Sequence, residues 1–294
     1  MAQFVINEEF LQQIELLQTL IKNNIAGLFG GNHQTRTYGS SCEFADYRDY
    51  LAGDDVTKID WNAYARFDKL YQKLYYDERQ MHTRIYIDAS RSMQYGDEKK
   101  AEQAIKLAAA LAYISVSEMD RVSVYAISGG EVKEIISSMV GKETYLTEIG
   151  KLGGITFDGE CRISEAILPS SVGRGDGLSV IISDYLTDNN FEDAIDFLAD
   201  RKRDILCIQI LSREEINPQL RGKMHLFDSE DRSRYYRKNI DREIVKAYKD
   251  ALRYVTSRIE DYCAARGASY MLASAEDSIS EIFFGKMINI GVLK

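Results

Sequence analysis

The sequence predicts an α/β protein built on a doubly wound, mostly parallel sheet. Continuous apolar strands such as LSVIIS (178–183) and DILCIQIL (204–211) alternate with helical stretches from residue 84 onward. Strands that are apolar on both faces indicate a sheet covered by helices on both sides. The pair Gly129-Gly130 separates two further strands and predicts an antiparallel hairpin at one edge of the sheet.

The N-terminal part of the chain is expected to differ from the rest. Residues 8–28 carry apolar side chains at helical spacing, which predicts one amphipathic helix that ends at a Gly-Gly pair. Residues 32–80 are polar and irregular. We therefore expect two parts, an N-terminal helix and segment over residues 1–80 and a main domain over 81–294, with the first packed on the second.

Side chains within the irregular segment have expected roles. Trp61 is predicted to be a core residue, and Asp60 is predicted to pair with Arg66. Arg48 is expected to form a polar network with the acidic pair at positions 54 and 55. The main interpretation of this segment is a structural belt around the sheet, with direct contact to a partner protein as the alternative.

The elements of the main domain follow from apolar periodicity. The predicted strands are 84–88, 121–128, 131–137, 178–183, 204–211, 224–228 and 268–274. The predicted helices are 98–119, 142–151, 191–200, 241–266 and 277–288.

Composition excludes several classes of function. The net charge of −9 argues against a general nucleic-acid binder, because such a protein needs a basic face. The four cysteines form no CxxC pair, so nothing favours a zinc ribbon or a redox motif. No apolar run approaches the ~20 residues that span a bilayer, and the N-terminus lacks the pattern of a signal peptide. We therefore expect a cytoplasmic protein without a membrane span.

Small oxygen-bearing side chains follow the ends of two predicted strands. Asp88, Ser90 and Ser92 come at every second position after the first strand, and Asp184 follows a later one. Right-handed crossovers would place these strands side by side at the point where the strand order reverses, which is where doubly wound sheets bind ligands. Thr156 lies in a glycine-rich loop that leads toward the second strand. The five residues are expected to converge.

The chemistry of these five side chains favours a hard cation. All of them offer oxygen, which suits Mg²⁺, Mn²⁺ or Ca²⁺ and not zinc. Helix capping would explain one such residue but not the evenly spaced set. A Ser-His-Asp hydrolase has little support, since no histidine is close to Ser90 in sequence. The chain also lacks the GxxxxGK[ST] motif of nucleotide hydrolases.

These motifs resemble a known pattern. DASRS (88–92) resembles the Asp-x-Ser-x-Ser of the metal-ion-dependent adhesion site in von Willebrand factor A domains, and DRVSVYAIS, GGIT and VIISD stand where that family has its second strand, threonine loop and last aspartate. The upstream stretch GSSCEFADYRDYLAGDDVTKIDWNAYARFDKLYQKLYYDE (39–78) and HLFDSED (225–231) resemble domain-of-unknown-function family fifty-eight. The usual Gly-Gly-Thr reads Gly-Gly-Ile-Thr here, and one amphipathic helix replaces the membrane helices of many relatives.

The resemblance implies a Rossmann-like domain that binds proteins and is not an enzyme. Asp88, Ser90, Ser92, Thr156 and Asp184 would hold one Mg²⁺, Mn²⁺ or Ca²⁺ ion, and a partner protein would donate a carboxylate to it. Genes of the family often accompany MoxR-type AAA+ ATPases, which implies such an ATPase as partner. The alternative is a magnesium-dependent phosphohydrolase that uses the two aspartates, although position 90 then lacks a proton donor.

Overall fold

The computed structural model describes residues 7–24, 34–38, 44–78, 80–94, 99–173, 177–186, 190–227 and 235–289. The chain divides into two compact units, Met1–Gly30 with Met81–Lys294 and, separately, Gly31–Gln80. The described helices are α1 (Glu8–Asn24), α2 (Trp61–Phe67), α3 (Lys99–Ser117), α4 (Gly141–Glu148), α5 (Ile163–Ile167), α6 (Glu192–Asp200), α7 (Arg213–Ile216) and α8 (Arg242–Ala265). The described strands are β1 (Gln34–Tyr38), β2 (Phe44–Asp49), β3 (Tyr71–Glu78), β4 (His82–Asp88), β5 (Arg121–Ser128), β6 (Glu131–Met139), β7 (Leu178–Ser183), β8 (Asp204–Leu211), β9 (Gly222–Phe227), β10 (Tyr235–Ile240) and β11 (Ser269–Ser274).

The larger unit is built on a six-stranded sheet with the order β11-β8-β7-β4-β5-β6. All neighbouring strands are parallel except β5 and β6, which form the antiparallel hairpin at one edge. The strand order reverses beside β4, whose neighbours are β5 on one side and β7 on the other. This is the doubly wound, Rossmann-like arrangement. The predicted fold class is confirmed.

Helices cover both faces of this sheet. On one face, α1 and α3 pack on side chains that alternate along the strands, such as Ile85 and Ile87 of β4. On the other face, α5, α6 and α8 pack on the alternate positions, such as Tyr86 of β4 and Ile181 of β7. Period-2 alternation therefore divides each strand between two cores, which explains the continuous apolar runs in the sequence.

Most predicted elements of this unit are present, and differences occur at element ends and in the last helices. Strands 121–128, 178–183 and 204–211 match their predicted bounds. The stretch predicted as a helix over 142–151 is α4 followed by a 3₁₀ helix, Ile149–Gly154. The predicted closing helix contains a π-helical segment, Glu281–Met287. β9 pairs with β10 in a separate two-stranded sheet, and β10 is a strand that the sequence did not predict.

The smaller unit is more regular than its sequence indicated. Its strands form a three-stranded antiparallel sheet with the order β1-β3-β2. The expectation of an irregular segment is wrong because this sheet depends on pairing between distant stretches. β3 pairs with strand positions that lie 22 to 44 residues earlier in the chain, and polar residues interrupt the apolar alternation that would mark each strand.

Two predicted roles in this unit are also wrong. Trp61 is 63% exposed and is not a core residue. Asp60 is the N-cap of α2 and accepts hydrogen bonds from the backbone N–H groups of positions 62 and 63. Its second oxygen accepts from the Tyr47 hydroxyl at 2.7 Å and lies 3.3 Å from the Lys73 ammonium. The cap turns the carboxylate away from Arg66, which stands in the last helical turn.

The expected network around Arg48 is partly present. Arg48 donates to Asp54 at 2.7 Å and to Gln72 at 2.8 Å. Asp55 does not join this pair, since its carboxylate accepts from the backbone and hydroxyl of Thr57 at the start of a short 3₁₀ helix. Residues 39–43 and 228–231 of the two family-like stretches lie outside the described residues.

Candidate functional site

The first part of the site is the loop that follows β4. Asp88 is the last residue of the strand and is 2% exposed. One oxygen of its carboxylate, Oδ1, accepts a hydrogen bond from the backbone N–H of Ser90 at 2.8 Å. The hydroxyls of Ser90 and Ser92 lie 3.0 Å apart, and both residues are buried. The local turn therefore brings the three predicted residues together.

The second part of the site is the end of β7, the parallel neighbour of β4. The hydroxyl of Ser183 donates to Asp88 Oδ2 at 2.5 Å, so one hydrogen bond joins the two strand ends. Asp184 follows Ser183 and is 2% exposed. Its Oδ1 accepts from the backbone N–H of Leu186 at 3.0 Å. The sheet thus places Asp184 beside Asp88, as the strand order predicted.

A buried lysine completes the site. Lys100 stands in the first turn of α3 and is fully buried. Its ammonium donates to Asp184 Oδ2 at 2.9 Å and to Glu215 Oε1 at 2.7 Å. The sequence does not single out Lys100, because the adjacent Lys99 has the same charge and nothing local distinguishes a buried lysine from its neighbour. We name the group of Asp88, Asp184, Lys100 and Glu215 the charged cluster.

Glu215 reaches this cluster through a capping box. Its second oxygen, Oε2, accepts from the backbone N–H of Ser212 at 2.7 Å, and the Ser212 hydroxyl accepts from the backbone N–H of Glu215. The Ser-x-x-Glu pattern that produces this geometry can be read from the sequence. It would have predicted the helix start at α7, although not the ion pair with Lys100.

Burial and charge determine the electrostatics of the cluster. Burial, and then the nearby charge of Asp184, raise the pKa of Asp88, while hydrogen bonds from Ser183 and Ser90 oppose that rise. Burial alone would lower the pKa of Lys100, but the charges of Asp184 and Glu215 raise it above its usual value. With three carboxyl groups and one ammonium, the ionised cluster has a formal charge of −2.

Thr156 differs from the other four predicted residues. Its side chain is exposed, and the structure gives it no hydrogen bond to the rest of the predicted set. The loop that carries it does lie against the site, since the backbone N–H of Asp158 donates to the Ala89 carbonyl at 2.8 Å. An ion pair between Arg91 and Asp158 holds the same two loops together. The loop that carries Thr156 therefore lies against the loop that follows β4.

Among the described residues, the site offers oxygen and one ammonium, but neither imidazole nor thiol. His82 contacts the Ser123 hydroxyl at 2.9 Å, His225 is exposed, and His33 lies outside the described residues. In the part of the chain that the structure describes, no group of three or more His, Cys, Asp or Glu side chains could hold a metal ion by itself. An ion at this site would therefore need the serine hydroxyls as ligands.

Comparison with known proteins identifies the family. A family described as "Protein of unknown function DUF58" matches residues 46–257. The chain belongs to the DUF58 family. The predicted resemblance to this family is confirmed, and the matched residues include the stretch from Asp88 to Glu215. Uncharacterised proteins of Mycobacterium bovis and Mycobacterium tuberculosis are 25% identical to this DUF58 chain over 226 residues, which are 74% of this chain and 70% of each relative.

Solved structures also align with this DUF58 protein. An aerotolerance-related membrane protein from Bacteroides fragilis is 15% identical, with 72% of this chain and 98% of that chain covered and a TM-score of 0.41. The VWA domain of SpRpn10 is 11% identical, with 73% and 98% covered and a TM-score of 0.41. The fold class follows from the strand order and not from these overlays. Among the described residues, no helix has the length and apolar character of a membrane span.

Proposed function

We propose that this DUF58 protein is a non-enzymatic module that binds other proteins through a divalent metal ion at the charged cluster. The observation that carries the proposal is the juxtaposition of Asp88 and Asp184 at adjacent strand ends, both 2% exposed. Two buried carboxylates repel each other unless a cation lies between them or one is protonated. Lys100 neutralises one carboxylate of the cluster, and a divalent ion would balance the formal charge that is left.

The donor set fits Mg²⁺ or Mn²⁺ in one measurable respect. Neighbouring ligands of an octahedral ion with bonds of about 2.1 Å lie about 3.0 Å apart. The hydroxyls of Ser90 and Ser92 are 3.0 Å apart, although they also form an ordinary hydrogen bond at this distance. Asp88, Ser90 and Ser92 would hold the ion, with Asp184 directly or through water, and Thr156 remains a candidate fifth ligand. The bound ion would supply a coordination position for a partner's carboxylate.

The partner in this proposal is a protein that presents an aspartate or glutamate. A MoxR-type AAA+ ATPase is the proposed partner, on the basis of the family resemblance, in a role in the assembly or maturation of protein complexes. The net charge of −9 supports a protein partner over a nucleic acid. The cytoplasmic location stays a prediction.

The decisive experiment compares melting temperatures in EDTA and in millimolar Mg²⁺ or Mn²⁺. An ion that binds only the folded protein raises the melting temperature of the wild type. Asp88→Ala should abolish that rise and reduce capture of the ATPase from the native host, whereas Asp250→Ala, which removes an exposed carboxylate on α8, should behave as wild type. If the ions leave the wild type unchanged and Asp88→Ala still captures the partner, metal-dependent binding is wrong.

A magnesium-dependent phosphohydrolase is the second candidate. The pair of carboxylates at strand ends with a lysine nearby favours it, because such groups can bind a metal ion and a phosphoryl group. Against it, Lys100 is fully buried, and Ser90 supplies no acidic proton two residues after Asp88. Hydrolysis of p-nitrophenyl phosphate by the purified protein with Mg²⁺, lost in Asp88→Asn, would favour the enzyme over the binding module.

A further inference from the structure

Positive charge is concentrated in the hairpin of β9 and β10 and in the first half of α8. Residues 221–258 contain eleven of the chain's 37 Lys and Arg residues but six of its 46 Asp and Glu residues, so this stretch carries +5 in a chain of net charge −9. A single residue, Asp241, joins β10 to α8, so the hairpin leads directly into the helix. An otherwise acidic protein therefore has one basic region.

Four basic residues form a stripe along one face of α8. Their spacing of four, three and four positions places them on the same side of the helix. We name them the basic stripe: Arg242, Lys246, Lys249 and Arg253. Lys249 is half-buried and donates to Asn217, whereas the other three are exposed. Residues 242–258 of α8 contain no buried residue, so this half of the helix leaves the stripe open to solvent.

The basic stripe does not stabilise α8. Like charges three or four positions apart repel each other, and a cation in the first turn, such as Arg242, opposes the helix dipole. Asp250 pairs with Arg253 at 3.1 Å, but both side chains are exposed and such a pair contributes little. Arg242 and Lys246 form no ion pair with any residue that the structure describes. A role in binding explains charges from which the fold gains nothing.

The hairpin adds further exposed cations next to the start of α8. Arg237 of β10 lies opposite His225 of β9, and Lys223 lies two positions before His225, so these three side chains share one face of the hairpin. All three are exposed, and so is Lys238 on the other face. The hairpin therefore extends the positive potential of the basic stripe.

We propose that the basic stripe binds a short acidic segment of another protein, whose Asp or Glu side chains pair with Arg242, Lys246 and Arg253. The stripe is about 16 Å long, because a helix rises about 1.5 Å per residue, and about five residues of an extended segment cover that length. DNA and anionic membranes are larger polyanions that would also meet the acidic remainder of the protein, which disfavours them. The proposal is independent of the metal site.

The test measures binding of a labelled decaglutamate peptide to the full chain by fluorescence anisotropy at low salt in EDTA. The wild type should bind the peptide, and added salt should weaken binding because it screens exposed charges. The triple variant Arg242→Gln, Lys246→Gln and Arg253→Gln should weaken binding by about tenfold or more. A control triple variant, Arg121→Gln, Lys133→Gln and Lys151→Gln, removes the same charge from exposed positions elsewhere and should bind as wild type.

Melting curves and competing probes complete the test. The stripe variant should melt no lower than the wild type, because its three residues are exposed and repel one another. Since EDTA is present throughout, failure of the proposed metal site would leave the peptide result unchanged. The proposal is overturned by absence of peptide binding, by equal loss in both triple variants, or by a lower melting temperature of the stripe variant.

Other occupants of the basic stripe would give different results. Duplex DNA or phosphatidylserine vesicles that bind more tightly than the peptide, and lose binding in the stripe variant, would assign the surface to a nucleic acid or a membrane. Dimerisation at low salt that the stripe variant abolishes would assign it to a second copy of this chain. Each of these results would overturn the proposal of an acidic protein segment.

Discussion

The ammonium of Lys100 lies 2.9 Å from Asp184 and 2.7 Å from Glu215, and the lysine side chain is fully buried. Lys100 belongs to α3, Asp184 directly follows β7, and Glu215 belongs to α7. Long stretches of sequence separate these three elements. This ion-pair triad fixes one carboxylate of the candidate site in place. It also means that a partner or metal ion meets a cluster that already contains one cation.

Replacement of the lysine should therefore destabilise the protein strongly. Lys100→Met leaves two carboxylates close together without their shared cation, and breaking a buried pair in this way costs about 3–5 kcal/mol. Urea unfolding of the variant should show this loss, and adding Asp184→Asn should restore part of it. Lys106→Met is the matched control, since Lys106 pairs with Glu102 at the surface and should contribute at most about 1 kcal/mol. Equal stability of the two variants would contradict the structural role of Lys100.

The serine hydroxyls should determine the response to divalent ions. If Ser90 and Ser92 are ligands, Ser90→Ala and Ser92→Ala should each weaken binding of Mg²⁺ by about tenfold or more, because each removes one oxygen donor. The midpoint of a titration of melting temperature against Mg²⁺ concentration measures this effect. Ser117→Ala is the control, since that buried hydroxyl has no hydrogen-bond partner within the described residues. A midpoint that both ligand variants share with the wild type would exclude the hydroxyls as ligands.

Asp120 should make stability fall as the pH rises. Burial raises the pKa of Asp120 from 3.8 to about 6, even though its carboxylate accepts from the backbone N–H of Met81. Between about pH 4 and pH 6 the folded protein therefore binds more protons than the unfolded chain, and stability is lost across that window. Asp120→Asn removes this effect, so its free energy of unfolding relative to the wild type should increase from pH 4 to pH 6. A difference independent of pH would show that Asp120 titrates normally.

His82 should have the opposite effect in nearly the same window. Burial, and then the charge of Arg84, lower the pKa of His82 from 6.5 to about 4. The unfolded chain takes up a proton as the pH falls below 6.5, whereas the folded protein does not, so stability is lost toward pH 4. The free energy of unfolding of His82→Gln minus that of the wild type should therefore decrease as the pH rises from 4 to 6.5, because only the wild type gains stability over that range. Urea unfolding at several pH values measures both variants, and slopes of the same sign would be inconsistent with the structure.

Asp60 should stabilise α2 in the smaller unit. The hydrogen bond from Tyr47 is the largest cause that lowers the pKa of Asp60 to about 2, and the same carboxylate caps α2. Asp60→Ala should therefore fray α2 and accelerate amide hydrogen exchange over residues 61–67 at neutral pH. Asp49→Ala, which removes an exposed carboxylate of β2, should leave that exchange unchanged. Equal exchange rates in the two variants would argue against the cap.

Local patterns in the sequence predicted much of the larger unit. A buried parallel strand is a continuous apolar run, so stretches such as 178–183 and 204–211 carry their own signal. The placement of Asp88 beside Asp184 also followed, because right-handed crossovers leave few strand orders to choose from. The packing of residues 30–80 on the main sheet, by contrast, stays a prediction.

The sequence by itself determined the doubly wound fold, the family and the evenly spaced oxygen side chains after β4. Only the tertiary structure decided which charges meet. Lys100 binds carboxylates 84 and 115 positions away, and the sheet of the smaller unit joins distant polar strands. The reason is physical: backbone propensity and apolar periodicity act between near neighbours, whereas burial and charge pairing depend on how distant elements pack.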